Sequence, residues 1–409
     1  MSASWVGQQL FFRRFRFLGF GLLRNLVRLS SMAKLILLSN RALWDEQAKR
    51  VRADVLSDLQ KLGEAGHAVF CVSNHAQPTW WSACGKVVQH RKVYGRQNGK
   101  FVASLVAANP GVLRRADVVV LGTSEEDFLM AVNSRSILLA CGWCPDLDAK
   151  TRRYGVMVDA PQRLDQVVGF LEDKHPWYFH HHSNFLDVFS LTDAGTKYES
   201  DAQIKRLAER LQNCLKNGHP IYKNAFRLHL LSSLYTTDGF KSADIWSYYP
   251  SSDSKNTGQE IMTEFSELAR TTFGKRNRGP LMIRHKPSVK RHMAGGDRKD
   301  PRSQLETVHL NPEYRDKLAG KTVVVMDDYL THGVSFGVSA SLLQAAGAAK
   351  MIGVSMGKFG NAANAYKIEI QCDPFAPLKK YRVVTMNSMT GKYEADAKLQ
   401  FLKKFKHSL

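Results

Sequence analysis

Val323-Val324-Val325-Met326-Asp327-Asp328-Tyr329-Leu330-Thr331-His332-Gly333-Val334-Ser335 decides the reading of the C-terminal part of this chain. The apolar run at its start, led in from Lys321, reads as a strand to Met326 buried on both faces, and such strands belong to parallel sheets. Two carboxylates, Asp327 and Asp328, follow at the strand's C-terminal end, where open α/β sheets bind ligands. The turn then opens a helix from Ser335 to Ala346, stopped by Gly347. Gly333 lets the backbone turn tightly and approach a ligand. Successive N–H groups and the helix start attract an anion, and the hydroxyls of Thr331 and Ser335 add donors. One anion site therefore lies close to two acceptors for hydroxyl groups, and a ribose 5-phosphate has that shape. The alternative is an ordinary strand–turn–helix with two surface aspartates. The joint spacing of both carboxylates, Thr331, Gly333 and Ser335 weighs against it.

An apolar strand, Asp-Asp, two residues, Thr, any residue, Gly, any residue and Ser or Thr resembles the phosphoribosyl-pyrophosphate (PRPP) motif of type I phosphoribosyltransferases. The resemblance implies that Asp327 and Asp328 bind the ribose hydroxyls and that Leu330, Thr331, His332, Gly333, Val334 and Ser335 hold the 5-phosphate. His332 departs from the pattern, which has a small or hydroxylated residue there. Upstream, Tyr248-Tyr249-Pro250-Ser251-Ser252 follows a strand where that family places its pyrophosphate-binding turn, so Tyr249, Ser251 and Ser252 join the expected PRPP contacts, with Lys255 close behind. The basic stretch Arg284-His285-Lys286-Pro287-Ser288-Val289-Lys290-Arg291-His292, followed by Asp297-Arg298, Gln304 and Thr307, resembles the family's flexible loop, most closely in its competence-linked branch. Lys286, Lys290, Arg291 and Arg298 would neutralise the leaving pyrophosphate; a nucleic-acid-binding or disordered segment is the competing reading. The resemblance spans about residues 240–360 and implies Mg²⁺ bridging PRPP oxygens, because that ion takes hard oxygen ligands. Asp327 and Asp328 then meet the metal only through PRPP.

The N-terminal part reads as a second α/β layer. Leu35–Leu38, Ala68–Val72, Val118–Leu121 and Ile137–Ala140 are apolar runs of strand length, and Arg50–Leu62 and Glu125–Asn133 have helical spacing. Residues 33–160 resemble a degenerate member of the haloacid dehalogenase superfamily. Ser39-Asn40-Arg41 stands where that family needs a nucleophilic Asp and a second Asp. Val72-Ser73-Asn74 resembles its second motif, and Leu121 to Asp127 its late acidic motif. Ser39, Ser73 and Asp127 are thus the positions of a degenerate site. Without the nucleophile a covalent phosphoryl intermediate cannot form, so a binding or scaffolding shell is expected. Glu125, Glu126 and Asp127 either hold a cation or, as the preferred reading, line the start of a helix.

The chain has 409 residues and a formal net charge of +21. Its length predicts two domains, and its charge favours polyanionic partners, nucleic acid among them. Residues 1–31 carry five arginines and no acid. Their apolar core is too short to span a bilayer. They read as sequence upstream of a start at Met32, or else as an interfacial helix. The six scattered cysteines form no disulfide framework, which suits a cytoplasmic protein. Cys141 and Cys144 read as structural, since a zinc site needs further ligands. His180-His181-His182 reads as a loop or strand-edge cluster.

The expected organisation is α/β, with two Rossmann-like parallel-sheet domains joined by a helical connector. Its parts are a basic extension over 1–31, a dehalogenase-like domain over 32–175, helices over 176–240, and a phosphoribosyltransferase domain with a basic tail over 241–409. The resemblance implies a PRPP-dependent, Mg²⁺-assisted transferase acting on an unassigned base or nucleoside-like acceptor, with a homodimer as a candidate assembly and no membrane partner expected. The alternative is a non-catalytic PRPP or nucleotide sensor, or a nucleic-acid-associated effector of bacterial stress or anti-phage settings. Two working activities would be the third option, which the missing nucleophile opposes.

Overall fold

The computed structural model describes residues 33–85, 87–172, 177–197, 200–252, 260–276, 279–288, 297, 299–394 and 397. The basic extension over 1–31, Lys255, Lys290, Arg291, Arg298 and the basic tail at Lys403–His407 lie outside the described residues. The chain forms two compact units, Met1–Asp173 and Lys174–Leu409.

In the first unit six strands form one parallel sheet: β1 (Leu35–Leu38), β2 (Ala68–Ser73), β3 (Gln89–Lys92), β4 (Val118–Gly122), β5 (Ile137–Cys141) and β6 (Val156–Val158). Their spatial order is β3-β2-β1-β4-β5-β6. β1 pairs with β2 on one side and β4 on the other, Leu35 lying opposite Ala68 and Val118. The central strands are apolar throughout because both faces are buried: every residue of β1, β4 and β5 is buried. The helices are α1 (Asn40–Leu43), α2 (Ala53–Glu64), α3 (Lys100–Ala108), α4 (Glu125–Ser134), α5 (Ala149–Tyr154) and α6 (Leu164–Glu172). α2 turns Val55, Leu59 and Leu62 inward at helical spacing and leaves its polar face outward. A short hairpin pairs Trp44–Asp45 with Arg50–Val51 just after α1.

The second unit contains β7 (Phe179–His181), β8 (Leu186–Asp193), α7 (Ala202–Asn217), α8 (Pro220–Thr236), β9 (Ile245–Tyr248), α9 (Glu260–Thr272), β10 (Met282–Arg284), β11 (Val308–Leu310), β12 (Thr322–Leu330), α10 (Val334–Ala345), β13 (Lys350–Lys358), β14 (Asn364–Ile370), β15 (Tyr381–Ser388) and β16 (Lys392–Tyr393). Its main sheet runs β9-β12-β13-β8-β7-β16. The first four strands are parallel, and β7 and β16 join antiparallel. The sheet is therefore mixed, where a parallel one was expected. α10 is buried on nearly all sides. The main sheet lies beneath it, where the Phe336 ring comes within about 3.0 Å of a side chain built on Gly353, and the β14–β15 hairpin lies above, with Tyr366 against Gly337.

The expected helical connector is also corrected. β8 pairs in parallel with β13, Leu186 opposite Met351 through Asp193 opposite Lys358. Residues 179–193 therefore build the second sheet, and α7 and α8 follow two of its strands within the same unit. Polar residues hid β8: Asp187, Ser190 and Thr192 are buried in it. Two of them are tolerated because they find partners: the Ser190 hydroxyl meets that of Ser355, and Asp187 pairs with Lys350 at 2.7 Å.

Candidate functional site

β12 continues through both aspartates to Leu330 rather than stopping at Met326, with Asp327 opposite Ser355 and Tyr329 opposite Gly357. The carboxylates thus stand on successive residues of a paired strand, close enough for a side-chain hydrogen bond between them. Each carboxylate accepts from the next backbone N–H: Asp328 N donates to Asp327 Oδ1 at 3.0 Å, and Tyr329 N to Asp328 Oδ1 at 2.7 Å. The Ser335 hydroxyl reaches back to Asp327, so the start of α10 is tied to the end of the strand. Burial, and then the neighbouring Asp328 charge, push the Asp327 carboxyl well above the ordinary carboxylate range.

Thr331 and His332 form the turn, both half-buried. Gly333 has φ +79°, and a Cβ there would come within 2.4 Å of the Asn364 carbonyl oxygen. Glycine is required on both counts. Asn364 N donates to the His332 carbonyl at 3.1 Å, which locks the turn against β14. His332 is thus accommodated by its backbone, and its side chain takes no part in this tie. Val334 opens α10 and packs into the core.

The turn after β9 lies alongside. β9 pairs in parallel with β12, Tyr248 opposite Met326, and Tyr249 N donates to the Met326 carbonyl at 2.8 Å. Pro250, Ser251 and Ser252 therefore leave the sheet beside the strand that carries the aspartates. Ser252 is exposed and Ser251 half-buried. Tyr249 is different from expectation: its ring is buried and its hydroxyl donates to Gln304 Oε1 at 2.9 Å. It braces the turn from within.

Arg284 was grouped only with a basic loop, yet it is 1% exposed. Its guanidinium donates to the Ser251 carbonyl, to Pro250 O at 3.4 Å, to Gln304 Oε1 at 2.8 Å and to Thr307 Oγ1 at 2.6 Å. One buried side chain thereby fixes two carbonyls of the turn. The signal available in sequence was a charged residue closing the apolar run Leu281-Met282-Ile283. Gln304 and Thr307, two residues of the same stretch, are its partners. Arg284 itself lies in β10, which pairs antiparallel with β11, Arg284 opposite Val308. Lys286 is exposed beyond it.

The histidines fall on and just after β7. The rings of His180 and His182 are 4.8 Å apart, His181 Nδ1 lies 2.6 Å from the Thr390 carbonyl, and His182 Nδ1 3.1 Å from Asp187. Among the described residues no group of three or more His, Cys, Asp or Glu side chains could hold a metal ion.

In the first unit, Ser39 and Asp127 meet and Ser73 does not. Ser39 Oγ donates to Asp127 Oδ2 at 3.0 Å, and Thr123 N and Ser124 N donate to the same oxygen at 2.9 and 3.1 Å. The other oxygen pairs with Arg96. Asp127 is fully buried, and with Ser124 it forms a capping box at the start of α4. A carboxylate so occupied has nothing left for a cation. The Ser73 hydroxyl accepts from His75 N at 3.1 Å instead. Cys141 and Cys144 are buried free thiols. Burial raises both, Cys144 to about 11, so neither is a ready nucleophile.

Among the described residues no helix is long and apolar enough to cross a membrane. No protein-family model matches the chain, and no curated protein matches it in sequence.

Proposed function

We propose that the second unit binds PRPP and transfers its ribosyl 5-phosphate group to an acceptor. One observation supports this most: the parallel pairing of β9 with β12 sets the Tyr249–Ser252 turn beside the Asp327–Ser335 stretch, although about 75 residues separate them in sequence. In this reading Asp327 and Asp328 accept the ribose hydroxyls. The backbone of Leu330–Ser335, with the Thr331 and Ser335 hydroxyls, holds the 5-phosphate. Ser251 and Ser252 hold the pyrophosphate, braced by Arg284, with Lys286 and Arg298 adding charge.

The acceptor's nucleophile would form its bond to ribose C1 as the bond from C1 to the pyrophosphate oxygen breaks, the electron pair leaving with pyrophosphate. Mg²⁺, bound with the diphosphate, would offset the negative charge that develops there. The chain's own contribution is positioning and charge stabilisation. Sugar hydroxyls donating to Asp327 would also relieve the penalty that burial places on its charge.

Calorimetric titration of Mg²⁺ and PRPP into the full chain and into the Asp327→Asn/Asp328→Asn variant tests this. Saturable binding by the wild type and none by the variant is the expected result. No binding by the wild type at millimolar PRPP ends the reading.

A further inference from the structure

The first unit holds a cavity that the proposed transferase does not use. Its volume is about 580 Å³, within the range of small-molecule pockets, roughly 300–1,000 Å³. Its position follows from the topology. The sheet order β3-β2-β1-β4-β5-β6 reverses between β1 and β4, so the segments after those strands diverge and leave a crevice at their C-terminal ends, the place where open parallel sheets bind ligands. Asn40, just after β1, and Thr123, just after β4, both line the cavity.

Three further features give it chemistry. Trp44, on the short hairpin, stacks on Trp80 with ring centroids 4.8 Å apart and planes 13° from parallel, and both line the cavity. Trp44 is held in place by its Nε1, which donates to Glu46 at 2.9 Å. The pair is too close to admit a ring between its members, so a planar ligand must stack on an outer face. Second, Arg41 lies exposed on the wall and makes no ion pair among the described residues. Nearby Arg52 holds Asp45 at 3.1 Å, and its buried Nε has no partner. Third, Asp146 on the rim and the Gln47 side chain offer acceptors for ring amino groups or sugar hydroxyls.

The floor is chemically closed. The Thr123 hydroxyl is engaged with Ser39 at 3.0 Å and Asp127 at 3.2 Å. Ser39 itself is a neutral hydroxyl with no base but a carboxylate already neutralised by Arg96. Cys144, also on the wall, is held as a thiol by burial. The cavity can hold a ligand without breaking it.

We infer that this crevice binds a nucleoside monophosphate, its base stacked on the Trp44–Trp80 pair and its phosphate held by Arg41 beside Asn40. A flat aromatic surface recognises a base of any identity, and a guanidinium recognises phosphate through paired N–H donors. The mixed lining, tryptophans with both arginine and acid, matches a ligand that is aromatic at one end and anionic at the other. A purely anionic ligand would not need the tryptophans.

The test uses the full chain, titrated with AMP and GMP by calorimetry and by tryptophan fluorescence, with adenosine and inorganic phosphate as half-ligands. The background is the Asp327→Asn/Asp328→Asn variant, so that binding in the second unit is removed. Saturable binding should persist there. It should weaken about tenfold in Trp80→Leu, the effect of losing one base–aromatic stack, and by a similar factor in Arg41→Ala. Each half-ligand should bind more weakly than the whole. Arg41 is exposed, so Arg41→Ala is expected to keep the wild-type melting temperature and serves if Trp80→Leu fails to fold. The inference is overturned if neither nucleotide binds at millimolar concentration. It is equally overturned if binding vanishes with the two aspartates, or if Arg41→Ala binds as tightly as the parent. Failure of the PRPP titration would leave these outcomes unaffected.

Discussion

Asp327 sits where its own charge is penalised, by burial first and by Asp328 second. A carboxyl whose folded value is raised contributes stability fully present below its unfolded value, near 3.8, and lost as pH climbs through the raised one. Above its unfolded value the group therefore costs stability, as binding sites often do. Asp327→Asn should melt higher than wild type at pH 7.5, by about 2–4 °C, while losing all PRPP-induced stabilisation. The gain should shrink as pH falls and be gone below about 3, where the wild-type carboxyl is protonated in both states. A lower melting temperature at pH 7.5 would refute this account of the site. Lys358 is the complementary case. It is completely buried at the end of β13, its Nζ donating to the carbonyls of Gly360 at 2.8 Å and Ala362 at 3.2 Å. Burial lowers it from 10.5 to about 8. Between those values the unfolded chain holds a proton that the folded chain has released, so stability rises with pH across that window. Urea midpoints measured at pH 7.5, 8.5 and 9.5 should rise for wild type relative to Lys358→Met, with a slope of at most one proton. Parallel curves would show that Lys358 is not shifted.

At the level of elements, the unit of function is β12, its turn and α10. Gly333 is where these meet β14, and it fails both tests for another residue, φ +79° and an oxygen 2.4 Å from any Cβ. Gly333→Ala should cost about 1–3 kcal/mol, read as a fall in the urea midpoint, and should weaken PRPP binding further than that loss alone explains. An unchanged midpoint would mean the turn moves freely. The same elements show what sequence could reveal. β1, β4 and the start of β12 were legible because a strand buried on both faces must be apolar along its length. β3 was not: Gln89-His90-Arg91-Lys92 is an edge strand and carries polar side chains. β14 and β15 escaped for a related reason, since their residues are mostly half-exposed over α10. β8 was lost to the helical reading because Asp187, Ser190 and Thr192 interrupt its apolar pattern. In the candidate site, the glycine and the aspartates were legible because their chemistry is local. The brace from Arg284 to the Pro250–Ser251 carbonyls was not, because it joins residues over 30 positions apart through backbone acceptors that any sequence supplies.

Over the whole molecule, the proposals place a sugar-phosphate ligand in the second unit and a nucleotide in the first, on a chain with net charge +21. All three point to phosphate, but they differ in what salt does to them. A pocket that surrounds its ligand excludes much of the screening electrolyte, whereas a spread positive surface competes directly with counterions. The excess charge alone predicts binding to any duplex DNA, with affinity falling about 10³-fold or more between 50 and 200 mM salt if six or more phosphates are neutralised. That binding should be the same in Asp327→Asn/Asp328→Asn, which removes two negative charges far too local to set the field of the chain. PRPP binding should show the opposite pattern, a modest salt response and complete dependence on the two aspartates. Fluorescence anisotropy with a labelled duplex, run at both salt concentrations on both proteins, separates the two. If DNA binding stays at nanomolar affinity at 200 mM salt, the charge is organised into a specific nucleic-acid surface, and the chain is better understood as an effector that uses its sugar-phosphate pocket to sense rather than to transfer.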